Sequence, residues 1–106
     1  MMIMIRLAFF AVFLGALPAP AQALPGDRYA GRTLAREVCA ACHFVESEDM
    51  GDSWADAPAF QDVADDPAIT AISLRVFLRT SHDKMPNLML SEAETDDIIA
   101  FILSLK

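Results

Sequence analysis

Basic residues, glycine and cysteine are scarce in this chain of 106 residues. Eight Lys and Arg stand against 15 Asp and Glu, and there are four glycines and two cysteines. A domain with so few cations is a poor nucleic-acid binder, because neutralising phosphates requires clustered Lys and Arg. A short chain without glycine-rich loops also does not accommodate a sheet-rich α/β enzyme built from βαβ units. One small domain of another class is therefore expected.

A hydrophobic run long enough to span a membrane is also missing near the N-terminus. The apolar run at residues 7–17 has 11 residues, whereas a transmembrane helix needs about 20. The run follows Arg6 and precedes the small-x-small sequence Ala21-Gln22-Ala23, an arrangement typical of a secretory signal peptide. Residues 1–23 are therefore predicted to be a cleaved signal peptide rather than a membrane anchor. Export would place the remaining chain, which then has no transmembrane segment, in an oxidising compartment.

Residues 24–106 form the predicted domain. Seven of these residues are basic and 15 are acidic, a formal net charge of −8, and about 40 of the 83 are hydrophobic. That hydrophobic fraction is ordinary for a globular protein. Because a core of this size usually depends on disulfides, a metal or a cofactor for its stability, one of these is expected.

Three helices and no strands are predicted, so the fold class is all-α. The first helix covers residues 27–40 with Asp27 as its N-cap. The second begins at Asp66-Pro67, with proline at the first helical position, and runs to about Thr80. The third begins at the capping box Ser91-Glu92-Ala93-Glu94. The acidic stretch 45–66 is predicted to be a loop with at most short turns.

The two cysteines and one of the two histidines form a single motif, Cys39-Ala40-Ala41-Cys42-His43. On a helical turn, residues i and i+3 share a face. Two thiols so placed can add to the two vinyl groups along one edge of a haem, and the next histidine then lies under the iron. This spacing is the c-type haem attachment pattern.

Three other interpretations of the motif are weaker. A disulfide between Cys39 and Cys42 would close a very small loop and add little stability. A thioredoxin-like redox pair needs a βαβ context that the sequence does not provide. A zinc site needs four ligands, and His82 is the only obvious candidate for the fourth.

With this motif the chain resembles the small class I c-type cytochromes over about residues 27–105. The resemblance also rests on Ala57-Pro58-Ala59-Phe60, on Lys84-Met85-Pro86-Asn87, and on the C-terminal segment with Leu90-Ser91 and Ala100-Phe101-Ile102. It implies a class I cytochrome c fold of three main helices and loops around one haem c, bound covalently through Cys39 and Cys42.

The resemblance implies His43 as the proximal iron ligand and Met85 as the distal ligand. A thioether is a soft, neutral ligand that favours ferrous iron and raises the reduction potential. Met89, Met50 and His82 are the competing candidates for the distal position. We expect Met89 in the core and His82 as a solvent-exposed loop residue. Met50 lies in an acidic loop close to the attachment site, which makes it a poor candidate to reach the opposite face of the haem.

Further positions have roles that the resemblance implies or leaves open. Pro58 matches the family position whose carbonyl accepts a hydrogen bond from the proximal histidine and so fixes its tautomer; a plain loop proline is the alternative. Gly31 and Phe101 match the family's crossing of the first and last helices. Trp54, Arg75 and Arg79 could each contact the haem propionates or edge, or have no such role.

The predicted function is a periplasmic one-electron carrier that is not an enzyme by itself. Bacterial c-type haem is attached after export, which agrees with the predicted signal peptide. We expect a monomer, with redox partners that present basic docking patches to the acidic chain. A haem-bearing subunit of a larger periplasmic oxidoreductase is the first alternative, and a ligand-binding haem sensor with a weak or displaced Met85 is the second.

Overall fold

The computed structural model describes residues 15, 17–20, 23–46, 57–82 and 84–106. These segments contain four α-helices and one 3-10 turn: α1 Arg28–Val38, the 3-10 turn Cys39–Ala41, α2 Phe60–Asp65, α3 Ala71–Arg79 and α4 Glu92–Leu103. The predicted all-α class is confirmed, with one short helix more than expected. The predicted signal peptide lies mostly outside the described residues.

Helix α4 is the centre of the fold, because α1, α2 and α3 all pack against it. It begins as predicted, with the Ser91 hydroxyl accepting from the Glu94 amide and the Glu94 carboxylate accepting from the Ser91 amide. Contact with three neighbours buries the helix over most of its circumference, so its apolar residues do not form a single stripe. The buried side chains are Thr95, Ile98, Ile99, Ala100, Phe101 and Ile102.

Helix α1 crosses α4 at a glycine. Its predicted N-cap is confirmed, since the Asp27 carboxylate accepts from the amides of Tyr29 and Ala30. The Asp27 amide in turn donates to the Asp97 side chain of α4 at 2.7 Å. Gly31 lies at the crossing, where an added Cβ would come within 1.9 Å of the Asp97 carbonyl oxygen. Only a residue without a side chain therefore allows the two backbones to approach this closely.

The prediction that the second long helix starts at Asp66-Pro67 is wrong. Asp66 instead ends α2, because its amide donates to the Asp62 carbonyl, and its carboxylate then accepts from the Ala68 amide in a turn. Helix α3 begins after Thr70, whose side chain forms a capping box with Ser73. The Thr70 hydroxyl accepts from the Ser73 amide, and the Ser73 hydroxyl accepts from the Thr70 amide. This box fixes the start of the helix four residues later than predicted.

The prediction of a loop over residues 45–66 is wrong for its C-terminal part, where α2 forms. Residues 47–56 lie outside the described residues. Phe60 and Ala64, four positions apart, are both buried on one side of α2. Because acidic residues dominate this stretch, two apolar residues four positions apart are too weak a pattern to predict a helix.

Met89 is also not where the sequence places it. It is 82% exposed and adopts a positive φ of 55°, so the expectation of a core residue is wrong. The segment before α4 turns here, with the Met89 amide donating to the Asn87 side chain at 3.1 Å.

None of the helices in the described segments is long and apolar enough to cross a bilayer.

Candidate haem-binding site

A cavity of about 590 Å³ opens on one side of the helices. Its volume lies in the range of about 300–1,000 Å³ that is typical of cofactor and ligand sites. The five residues predicted to bind the cofactor all lie in its wall: Cys39, Cys42, His43, Pro58 and Met85. The chain thus brings together residues that are separated by up to 46 positions in the sequence.

The attachment motif forms a tight turn directly after α1. The amides of Cys42 and His43 both donate to the Cys39 carbonyl, at 3.1 and 2.9 Å. Cys39 is 6% exposed and belongs to the core, and this burial raises the pKa of its thiol to about 11. Cys42 is exposed, and neither cysteine is in a disulfide. The two sulfurs are thus available in the wall of one cavity.

The His43 ring is held by a backbone carbonyl. Its Nδ1 lies 2.7 Å from the Pro58 carbonyl oxygen, and since a carbonyl only accepts, Nδ1 carries the proton and donates it. This tautomer leaves the lone pair on Nε2, the arrangement usual for histidines that bind metals. The Phe60 amide donates to the Phe44 carbonyl at 2.9 Å, which ties the Pro58 segment to the segment that follows the motif.

Met85 lies in the cavity wall on a segment between α3 and α4. It is half-buried and packs against the core. Its backbone is paired with His82, since the Met85 amide donates to the His82 carbonyl at 2.8 Å and the His82 amide donates back at 3.3 Å. The proline that follows Met85 restricts its backbone to an extended conformation. The thioether is therefore presented by a short, hydrogen-bonded segment.

Two aromatic side chains of the cavity wall, Phe60 and Phe77, were not predicted from the sequence as functional residues. The Phe60 ring packs against the rings of His43 and Phe101, with 5.3 and 6.3 Å between the ring centroids. The Phe77 ring packs against the His82 ring, with 5.2 Å between the ring centroids. The only sequence signal for Phe60 was its position two residues after Pro58, and Phe77 was indistinguishable from other apolar residues of its helix.

His82 is not the solvent-exposed loop residue that the sequence analysis expects. It is half-buried and lies in the cavity wall. Its contact with the Phe77 ring, five positions earlier, and its backbone pairing with Met85, three positions later, hold it there. Neither contact follows from a helix or strand pattern in the sequence.

Arg75 and Arg79 form ion pairs between α3 and α4. Arg75 is paired with Asp96, and the Arg79 guanidinium lies 2.6 Å from the Glu92 carboxylate. The two side chains therefore tie α3 to the first turns of α4, a role that the sequence analysis did not consider. Trp54 and Met50 lie outside the described residues.

These donor groups fit a covalent haem. The cavity wall combines two thiols three positions apart, a histidine with Nε2 available, a thioether, and mainly apolar side chains that can enclose a flat apolar ring. Nitrogen and sulfur ligands of this kind are the ones that haem iron takes in proteins.

Fold and site together define a small, all-helical protein with one covalent haem site. The chain belongs to the cytochrome c family, whose model matches residues 29–106. It is 36% identical over 102 residues to cytochrome c-552 of Bradyrhizobium diazoefficiens, an alignment that covers 96% of this chain and 97% of that protein. A comparison with solved structures gives no match. The predictions of a class I c-type cytochrome and of covalently bound haem c are confirmed.

Proposed function

We propose that this haem-based electron-transfer protein works as a one-electron carrier in the periplasm, with His43 and Met85 as the axial ligands of its iron. The observation that carries the proposal is the hydrogen bond from His43 Nδ1 to the Pro58 carbonyl at 2.7 Å, made in the cavity whose wall also holds the Met85 thioether. When bound, the haem supplies a ferric/ferrous couple that accepts and returns one electron.

His43 is proposed as the proximal ligand because its ring is already set for metal binding. The Pro58 carbonyl holds the proton on Nδ1 and orients the ring, so the neutral imidazole needs no tautomer change to bind iron through Nε2. A carbonyl partner also increases the basicity of the imidazole. Pro58 would thus act through His43, as a positioning residue, and not as a ligand.

Met85 is proposed as the distal ligand because its thioether lies in the cavity wall on a constrained backbone. A neutral sulfur ligand favours the ferrous form and raises the reduction potential. A side chain that fills the distal position also excludes small molecules, which suits a carrier better than a sensor or a catalyst.

Cys39 and Cys42 are proposed to form the two thioether links. Each link adds an S–H across a vinyl C=C bond, so the sulfur joins carbon, the proton goes to the neighbouring carbon, and no electrons are gained or lost overall. Both cysteines line the cavity, and the turn that closes on the Cys39 carbonyl keeps them close together, which supports the proposal.

The negative charge of the chain supports redox partners with basic docking surfaces. Asp62 and Asp66 are exposed and line the cavity, and the predicted domain carries a formal charge of −8. Opposite charges steer partners together and orient them at the point of contact. The periplasmic location rests on the predicted signal peptide, and a periplasmic protein whose N-terminus lies near Leu24 would support it.

The absorption spectrum of the purified protein, oxidised and reduced, tests the ligand assignment. We expect the spectrum of covalent low-spin haem with the long-wavelength iron–methionine band in the ferric form. Met85→Ala should remove that band, whereas Met89→Ala, at an exposed methionine four residues away, should leave it unchanged. A band that survives Met85→Ala would show that another residue is the distal ligand.

A further inference from the structure

The proposed function leaves His82 without a role, although both histidines of the chain lie in the wall of the same cavity. His82 is half-buried, and its ring packs edge-on against Phe77, with 5.2 Å between ring centroids and 71° between the planes. A loop histidine in free contact with water has no such fixed neighbour. The ring is therefore held in place at the cavity.

The His82 ring has the same tautomer as the His43 ring. Its Nδ1 lies 3.1 Å from the Thr80 carbonyl oxygen, as Nδ1 of His43 lies near the Pro58 carbonyl. Because a carbonyl only accepts, Nδ1 donates in both residues, and in the neutral ring the lone pair is then on Nε2. Both histidines are thus in the form that binds metals through Nε2.

The backbone pairing places His82 beside the thioether. The amides and carbonyls of His82 and Met85 are bonded in both directions, which makes them a hydrogen-bonded antiparallel pair. The side chains of such a pair point to the same face, and their Cα atoms lie about 5.5 Å apart. Either side chain could therefore bind the same iron atom after a local rearrangement, without unfolding of the segment.

We propose that His82 is a second distal ligand, which binds the haem iron when the Met85 sulfur leaves it. This inference rests on the proposed function, because it requires a haem iron whose first distal ligand is Met85. Met89, on the same segment, is less suited, because it is 82% exposed and does not line the cavity.

The exchange has two consequences. The iron keeps six ligands and stays low-spin, so loss of Met85 does not open the site to small molecules. The reduction potential falls, because imidazole replaces the thioether that favours ferrous iron. The carrier then remains closed but becomes a weaker oxidant.

The test compares haem-loaded Met85→Ala with the double variant Met85→Ala/His82→Gln by absorption and electron paramagnetic resonance spectra. We expect Met85→Ala to remain low-spin with a lowered reduction potential and no binding of carbon monoxide in the ferrous form. The double variant should lose the low-spin signal and bind carbon monoxide. Met85→Ala/Lys84→Ala and Met85→Ala/Met89→Ala are matched controls that should behave like Met85→Ala.

A high-spin Met85→Ala protein that binds carbon monoxide as the double variant does would overturn the inference and leave Met85 ligation intact. A low-spin state lost only in one of the two control variants would overturn it as well. An iron–methionine band that persists in Met85→Ala would instead contradict the proposed function. Met85→Leu, which nearly conserves side-chain volume, provides the same comparison if Met85→Ala does not fold.

Discussion

For each histidine, the hydrogen-bond partner of Nδ1 decides whether Nε2 is available to bind a metal. For His43 the resemblance implied both the ligand and the Pro58 carbonyl, and the structure shows that hydrogen bond at 2.7 Å. For His82 the sequence predicted an exposed residue, because neither the Thr80 carbonyl two positions earlier nor the Phe77 ring five positions earlier forms a motif that marks the ring as held. Ligation by His43 and Met85 stays a prediction until the spectra are recorded.

The ion pair between Glu46 and Arg32 predicts how the stability of the folded protein depends on pH. The Glu46 side chain is 15% exposed, is hydrogen-bonded to Arg32 and lies 3.8 Å from Arg36. The hydrogen bond from Arg32 lowers the pKa of Glu46 below its ordinary value. A carboxyl whose pKa is lower in the folded state stabilises the protein above its unfolded-state pKa, about 4.3, and loses that contribution as the pH falls through the folded-state value.

We therefore expect Glu46→Gln to be less stable than the wild type at pH 7 and nearly equal to it once the pH is below the lowered pKa. Urea unfolding of the haem-loaded proteins, measured at pH values from 7 to 3, checks this. Glu37→Gln, at an exposed position of α1, is the control and should keep the wild-type pH profile. A deficit for Glu46→Gln that is constant over the whole pH range would contradict the assignment.

Among helices, capping residues were easier to predict than helix boundaries that depend on tertiary packing. Asp27 and the Ser91–Glu94 box were predicted correctly, because a cap acts within three residues of its helix. The start of α3 was predicted four residues too early, since Asp66 can cap a helix but here ends α2. Helix α2 itself was missed because its short apolar face is formed by burial against α4.

The crossing of α1 and α4 predicts a strong effect of Gly31→Val. The new Cβ would overlap the Asp97 carbonyl, which belongs to the backbone and cannot rotate away. Overpacking of this kind costs about 1–3 kcal/mol and occasionally more, so we expect a large fall in the thermal midpoint or failure to accumulate. Any folded fraction should keep the wild-type absorption spectrum, because Gly31 does not line the cavity.

The control for that substitution is Ala30→Val, one residue away at an exposed position of the same helix. It introduces the same side chain but costs at most about 0.7 kcal/mol in helix propensity. Equal thermal midpoints for the two variants would show that the close approach of the helices is not what requires glycine.

For the whole molecule, the cavity decides whether the chain can fold without its cofactor. Without a cofactor, the mainly apolar wall of a cavity of about 590 Å³ would face water, which is unfavourable. A domain of ordinary stability has only about 5–15 kcal/mol in total. The haem is thus a large part of the core, which explains how about 83 residues suffice.

The expected result is that Cys39→Ala/Cys42→Ala, purified without haem, is largely unfolded. Circular dichroism during heating should show no cooperative transition, whereas the haem-loaded wild type should show one. A cooperative transition in the haem-free variant would mean that the protein fills or closes the cavity by itself.

The net charge of the whole molecule predicts how the rate of its association with redox partners depends on salt. We expect the rate of electron transfer to its cognate partner to fall as ionic strength rises, because salt screens the attraction. Asp62→Asn/Asp66→Asn should slow the reaction at low salt and weaken this dependence. Glu37→Gln, which removes an acidic residue that does not line the cavity, is the matched control. Rates independent of salt would contradict electrostatic docking.

The sequence by itself determined the cofactor and the class of fold. The attachment motif lies within five consecutive residues, and the helix caps and periodicity act over one or two turns, so each can be read locally. The tertiary structure alone decided which carboxylates pair with Arg75 and Arg79, and that Cys39 is buried while Met89 is exposed. These features depend on packing between distant segments, and the energy of such contacts leaves no local pattern in the sequence.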